Sequence, residues 1–171
     1  AQPHVHVENM QLEADWDAES GTASLDAALS VRNASDAATI SATLKDSEGN
    51  VVWEASTNAD ANTTFASGSL QGIEPWSAES PSLYELEVNI IDQAGNIVEA
   101  VVQKVGFRRF RIENGIMTLN GKRVVFKGAD RHEFDAKRGR SITEQDMIDD
   151  VIFCKRHNIN AIRTSHYPNQ E

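Results

Sequence analysis

Two short segments hold the side chains best suited to chemistry: Asp130-Arg131-His132-Glu133 and, further along, Arg163-Thr164-Ser165-His166-Tyr167-Pro168-Asn169. Imidazole and guanidinium donate hydrogen bonds to oxygen-rich ligands, so Arg131, His132, Arg163 and His166 at one place would form an anion- or hydroxyl-binding surface, with Glu133 beside them. A structural reading stands next to this one: Arg131 could pair with Glu133 or Asp135, and His166 could cap a strand end. A zinc site built from His132, Glu133 and His166 lacks a compelling third ligand and any tight motif, so no metal is expected.

These residues converge if the elements that carry them do. The order from Phe126 to Asn169 reads as strand, loop, helix, strand, and two parallel strands place their carboxyl ends on the same sheet edge, where sites on α/β sheets form. The helix has its start signal in Ser141 with Glu144 or in Thr143 with Asp146, either of which makes a capping box. Met147, Ile148, Val151, Ile152 and Cys154 then recur at helical spacing, Lys155, Arg156 and His157 suit the negative helix end, and Asn158 suits the left-handed residue that stops it. Asn160-Ala161-Ile162-Arg163 resumes as a strand. Upstream, Ile116–Leu119 and Arg123–Phe126 flank Asn120-Gly121, which accepts the positive φ of a type I′ turn and predicts a hairpin.

Before Phe110 the period is two. Leu25, Ala27, Leu29 and Val31 alternate, as do Ile40, Ala42 and Leu44, and Tyr84, Leu86, Val88 and Ile90. Ser47-Glu48-Gly49-Asn50 and Gln93-Ala94-Gly95-Asn96 are turns between strands. With strands at His4–Met10, near Thr63–Leu70 and at Ile97–Phe107, about seven short strands predict an immunoglobulin-like β-sandwich. The fold expected is therefore mainly β: a sandwich over 1–109, then a β-hairpin and one βαβ unit over 110–171. Trp16, Trp53 and Trp76 read as core or interface anchors, and His4 and His6 as incidental.

Charge follows the same division. Residues 1–100 carry Arg32 and Lys45 against seventeen acids, and residues 101–171 carry fourteen Lys and Arg against nine. The later cations are interleaved with acids in a chain of net charge -10, which disfavours nucleic acid. The lone Cys154 excludes an internal disulfide, no apolar run is long enough to span a bilayer, and no leader pattern opens the chain; a soluble, cytoplasmic protein without a membrane partner is expected.

The run Trp76-Ser77-Ala78-Glu79-Ser80-Pro81-Ser82-Leu83-Tyr84, then Val105-Gly106-Phe107-Arg108, Asn120-Gly121-Lys122, Gly128 through Glu133, and Arg163 through Asn169 resemble, in order and spacing, glycoside hydrolase family 2 in its β-galactosidase branch. The specific part spans 73–171. The resemblance implies a sandwich lying between a sugar-binding jelly-roll domain and a (β/α)8 barrel, a retaining hydrolysis of terminal β-D-galactosides such as lactose, and His132 and His166 as hydrogen-bonding partners of sugar hydroxyls. It implies that Arg163 supports the nucleophilic carboxylate, with Arg131, Glu133 and Asp130 in support. Gly128-Ala129-Asp130 departs from the family's usual Gly-Val-Asn, setting a carboxylate where a neutral amide is common. The β-glucuronidase branch shares the Ser-His-Tyr-Pro segment and remains an alternative, as does a structural or assembly module without a ligand.

A retaining glycosidase needs two carboxyl groups about 5–5.5 Å apart. The resemblance places both catalytic glutamates on later barrel strands, and a barrel takes roughly 250 residues. The chain is thus expected to be a fragment, inactive by itself, whose partners are the rest of the parent chain and a galactoside, with homo-oligomerisation open. Cofactors are expected to be absent here, with Mg and Na ions of the parent enzyme bound elsewhere.

Overall fold

The structure is a computed structural model and describes residues 2–168; Asn169, part of the resemblance, lies outside the described residues. The chain divides into two compact units between Arg123 and Val124.

In the first unit, alternation becomes two antiparallel sheets. Strands β1 (His6–Asp17), β2 (Thr22–Arg32) and β5 (Asn62–Ala66) form one, in the order β1-β2-β5; β3 (Thr39–Lys45), β4 (Val51–Asn58), β6 (Tyr84–Ile91) and β7 (Ile97–Val105) form the other, in the order β4-β3-β6-β7. Strand β5 follows β4 in the chain yet pairs with β2 across the sandwich, the crossover that makes an immunoglobulin-like fold. The period-two residues point inward: Leu25, Ile40, Ala42, Leu44, Leu86, Val88 and Ile90 are wholly buried. Each such Leu or Ile contributes about 1.5–3 kcal/mol relative to exposure. Trp53 meets Phe65 edge-on at 6.4 Å. Strand β1 is longer than the expected His4–Met10 because its pairing with β2 persists to Asp17↔Thr22, beyond the segment where alternation is readable.

Two loops share one device. Asp46 Oδ1 accepts from the backbone N–H of Glu48 and Asn50, both at 2.9 Å, and Asp92 Oδ1 accepts from Ala94 and Asn96, both at 2.8 Å. Each loop turns at a glycine with φ 86°, Gly49 or Gly95, which costs a residue without Cβ little. Where β6 begins, the Tyr84 hydroxyl accepts from the Glu74 N–H at 2.9 Å, and its ring meets the buried Phe107 edge-on at 5.3 Å. This is the tyrosine corner of such sandwiches.

After β7 the chain makes two successive hairpins: β8 (Phe110–Glu113), β9 (Ile116–Leu119) and β10 (Lys122–Arg123). Asn120-Gly121 turns as expected, with φ 51° and 75°, but its second arm is Lys122–Arg123 and not Arg123–Phe126. Asn114-Gly115 makes the other turn in the same backbone form, with φ 51° and 77°. Arg109 fixes the entry to this segment: Nε bonds Asp15 at 2.9 Å, Nη2 pairs with the same carboxylate, and Nη1 bonds Asp17 at 2.7 Å.

The second unit contains β11 (Gly128–Arg131), α1 (Glu144–Arg156) and β12 (Ala161–Thr164). The two strands are parallel, in the register Gly128↔Ala161 to Arg131↔Thr164. A Cβ on Gly128 would lie 3.3 Å from the Ala161 carbonyl oxygen, so glycine lets the strands approach. Of the two candidate capping boxes, Thr143 with Asp146 forms, both halves being present. Asn158 takes φ 57° and ends the helix. No α1 residue is buried among those described; Ile148, Val151, Ile152 and Phe153 are exposed and Cys154 is half-buried.

Candidate functional site

Parallel pairing of β11 and β12 brings the two chemistry-bearing segments to one edge. The Ser165 N–H donates to the Arg131 carbonyl at 3.0 Å, extending the ladder past the strand ends. His132 and His166 then stand side by side, ring centroids 5.8 Å apart and planes 79° apart, with the Tyr167 ring 6.3 Å from His132. Both imidazoles are exposed. Beneath them the Tyr167 hydroxyl accepts from the Glu133 N–H at 2.8 Å, locking one segment to the other. Glu133 and Ser165 are buried, forming the floor on which the imidazoles are presented.

Asp130 and Arg163 are register partners, and Arg163 Nη1 lies 3.6 Å from Asp130 Oδ2. Both side chains are more than half exposed, so the pair is loose and solvent-screened. Arg131 does not join them. Its Nε and Nη2 both bond Asp150 Oδ2 of α1 at 2.8 Å, and its side chain is only 13% exposed. The helix thus supplies a partner for Arg131, which ties α1 to β11. Asp135 instead accepts from the Lys137 and Arg138 N–H groups and from the Arg138 guanidinium.

These contacts decide what the acids can do. The N–H groups of Lys137 and Arg138 hold the Asp135 carboxyl below its ordinary range, so it is ionised at neutral pH and has no proton to give a leaving group. The edge is thus a polar, hydrogen-bonding surface suited to hydroxyl groups, with a cation positioned next to a carboxylate. Among the described residues no group of three His, Cys, Asp or Glu is placed to hold a metal ion. His4 and His6 are separately engaged, by Asp36 at 3.2 Å and by the Pro3 carbonyl at 2.8 Å.

Sequence reading missed Tyr167 as the lock and Asp150 as the partner of Arg131. Tyr167 stood inside the quoted segment; Asp150, nineteen positions beyond Arg131, gave no local signal. A surface hollow of the first unit, about 520 Å³, lies elsewhere, lined by residues of β1 and β7 and by Gly106, Arg108 and Phe110.

Residues 5–108 match the family described as glycosyl hydrolases family 2, and residues 110–171 match the TIM barrel domain of that family. The chain is 63% identical to a β-galactosidase of Bifidobacterium adolescentis over its whole length, and 46% identical to a β-galactosidase of Halalkalibacterium halodurans over 98% of it. It spans 17% of the length of each. The solved β-glucuronidase 3 of Bacteroides uniformis superposes with a TM-score of 0.84 at 30% identity, covering 99% of this chain and 21% of that one. Over 110–171, then, β11, α1 and β12 correspond to the opening of a TIM barrel, and the edge carrying His132 and His166 is the C-terminal edge on which such barrels build their sites. The chain belongs to glycosyl hydrolase family 2.

Proposed function

We propose that this chain is the sandwich and opening barrel segment of a longer retaining β-galactosidase, and that it contributes sugar-binding groups without cleaving bonds itself. The observation that carries the reading is the pair of exposed imidazoles at the carboxyl edge of β11–β12, in a chain whose relatives at 63% and 46% identity are named β-galactosidases. His132 and His166 hydrogen-bond sugar hydroxyls, bonds that strengthen as the ring approaches an oxocarbenium-like transition state. Arg163, held only loosely by Asp130, turns to the nucleophilic carboxylate that a later barrel strand presents. Arg131 and Glu133 act beneath the surface, through Asp150 and Tyr167.

A neutral galactoside suits this edge better than a glucuronide, although solved β-glucuronidases share the fold. The carboxylate of Asp130 stands among the edge residues, and a uronate brought beside it meets like charge. The family resemblance places both catalytic glutamates on later barrel strands, so the expected result with a chromogenic galactoside and the chain alone is no turnover. Hydrolysis at a specific activity that survives repurification would overturn the reading. No described helix is long and apolar enough to cross a membrane; a cytoplasmic setting accords with the single unpaired Cys154.

A further inference from the structure

The two Asn-Gly turns of the double hairpin share a backbone form and differ in everything around it. Asn120 is held at both ends of its amide: Oδ1 accepts from the Arg109 N–H at 2.9 Å, and Nδ2 donates to the Trp76 carbonyl at 3.0 Å. It is half-buried, and a Cβ built on Gly121 would lie 3.5 Å from Ala18. Asn114 is exposed, and a Cβ on Gly115 would meet nothing within 4 Å.

We propose that Asn114 is a site of spontaneous covalent modification by deamidation and that Asn120, the same dipeptide in the same turn type, is protected. In the reaction hydroxide removes the Gly115 N–H proton, and that nitrogen attacks Asn114 Cγ. A C–N bond forms and the side-chain nitrogen leaves as ammonia, giving a five-membered succinimide. Solvent water then opens the ring at either carbonyl, leaving aspartate or isoaspartate. No redox partner is needed: amide and water become acid and ammonia.

Glycine at the attacking position offers no Cβ to obstruct the approach, equally in both pairs. The shared φ values make the backbone cost of reaching the cyclic geometry similar for both. What separates them is the side chain, because Asn120 must first break two hydrogen bonds, each worth about 1 kcal/mol net. The folded chain should therefore convert Asn114 about thirtyfold faster than Asn120. Conversion places a new negative charge at the turn, and the isoaspartate form adds a backbone carbon between β8 and β9, which disturbs their register.

The test is incubation of the chain at mildly alkaline pH, folded and in parallel in urea, followed by digestion and peptide mass mapping that counts acid in place of amide at each asparagine. The proposal expects acid to accumulate at position 114 well ahead of 120 in the folded sample, with the gap closing in urea. Equal rates at the two sites in the folded chain would overturn it. So would an unreacted Asn114 over a period in which the urea sample converts at both sites.

Discussion

Removing the hydroxyl of Tyr84 while keeping its ring separates two contributions that meet at the start of β6. The hydroxyl accepts one hydrogen bond, from the Glu74 N–H at 2.9 Å. Glu74 is exposed, so water can reach the amide that the substitution leaves behind. Tyr84→Phe should therefore cost only a net hydrogen bond, about 1 kcal/mol. The ring is 8% exposed and packs edge-on against the wholly buried Phe107. Tyr84→Ala loses that contact and opens a cavity, for about 3–5 kcal/mol. Each kcal/mol shifts the melting temperature of a unit of 123 residues by about 4 °C. Trp16, Trp53 and Trp76 all precede the division at Arg123, so urea unfolding followed by tryptophan fluorescence reads this unit alone. The expected outcome is a small fall in midpoint for Phe and a fall three to five times larger for Ala, about in the ratio of those costs, at unchanged slope. A Phe variant as unstable as the Ala variant, or one with no shift, would refute the corner as a modest polar latch on an apolar hinge.

Three further outcomes follow from particular contacts. A Cβ at position 106 would lie 2.9 Å from the Trp76 ring, so Gly106→Ala should cost about 1–3 kcal/mol and displace the indole from its place under the Arg108 guanidinium, seen as a change in folded-state fluorescence. The Thr143 N–H, the Thr143 hydroxyl and Arg138 hold Asp146 at about 2 against an ordinary 3.8. A lowered folded pKa means the cap's support is complete above pH 3.8 and is lost as pH falls towards 2, so amide protection in the first turn of α1 should decline across that window; a flat profile there would contradict it. In the full-length protein, Asp130→Asn should narrow the preference for galactoside over glucuronide by removing a like charge from the edge, and an unchanged ratio would count against Asp130 as a discriminating group.

What could be read from the chain was what local chemistry dictates. The alternation of Leu25 to Val31 and of Tyr84 to Ile90 marks central strands because those strands are buried on one face. The Thr143–Asp146 box and the Asn158 stop are signals within a few residues. Both Asp loops were readable as turns, though the shared Asp-x-x-Gly-Asn pattern, an internal repeat with a mechanism, went unused. Asn114-Gly115 carried the same signal as Asn120-Gly121 and was passed over. Other features depend on contacts between distant residues: Arg109 reaches Asp15 across ninety-four positions and Tyr84 reaches Glu74 across ten, and no period or cap announces either. At the site, the convergence of His132 and His166 followed from parallel strand order, whereas the diversion of Arg131 to Asp150 depended on which face of α1 lies over β11.

The most direct test is hydrolysis of a chromogenic β-galactoside and its glucuronide counterpart by this chain alone, and again after mixing with the separately produced remainder of the barrel. A sugar-binding role for His132 and His166 in a segment without the catalytic glutamates predicts silence from the chain alone, galactoside hydrolysis on mixing, and loss of that hydrolysis when His132→Ala or His166→Ala is used in the mixture. Turnover by the chain alone, or a mixture indifferent to both histidines, would contradict it.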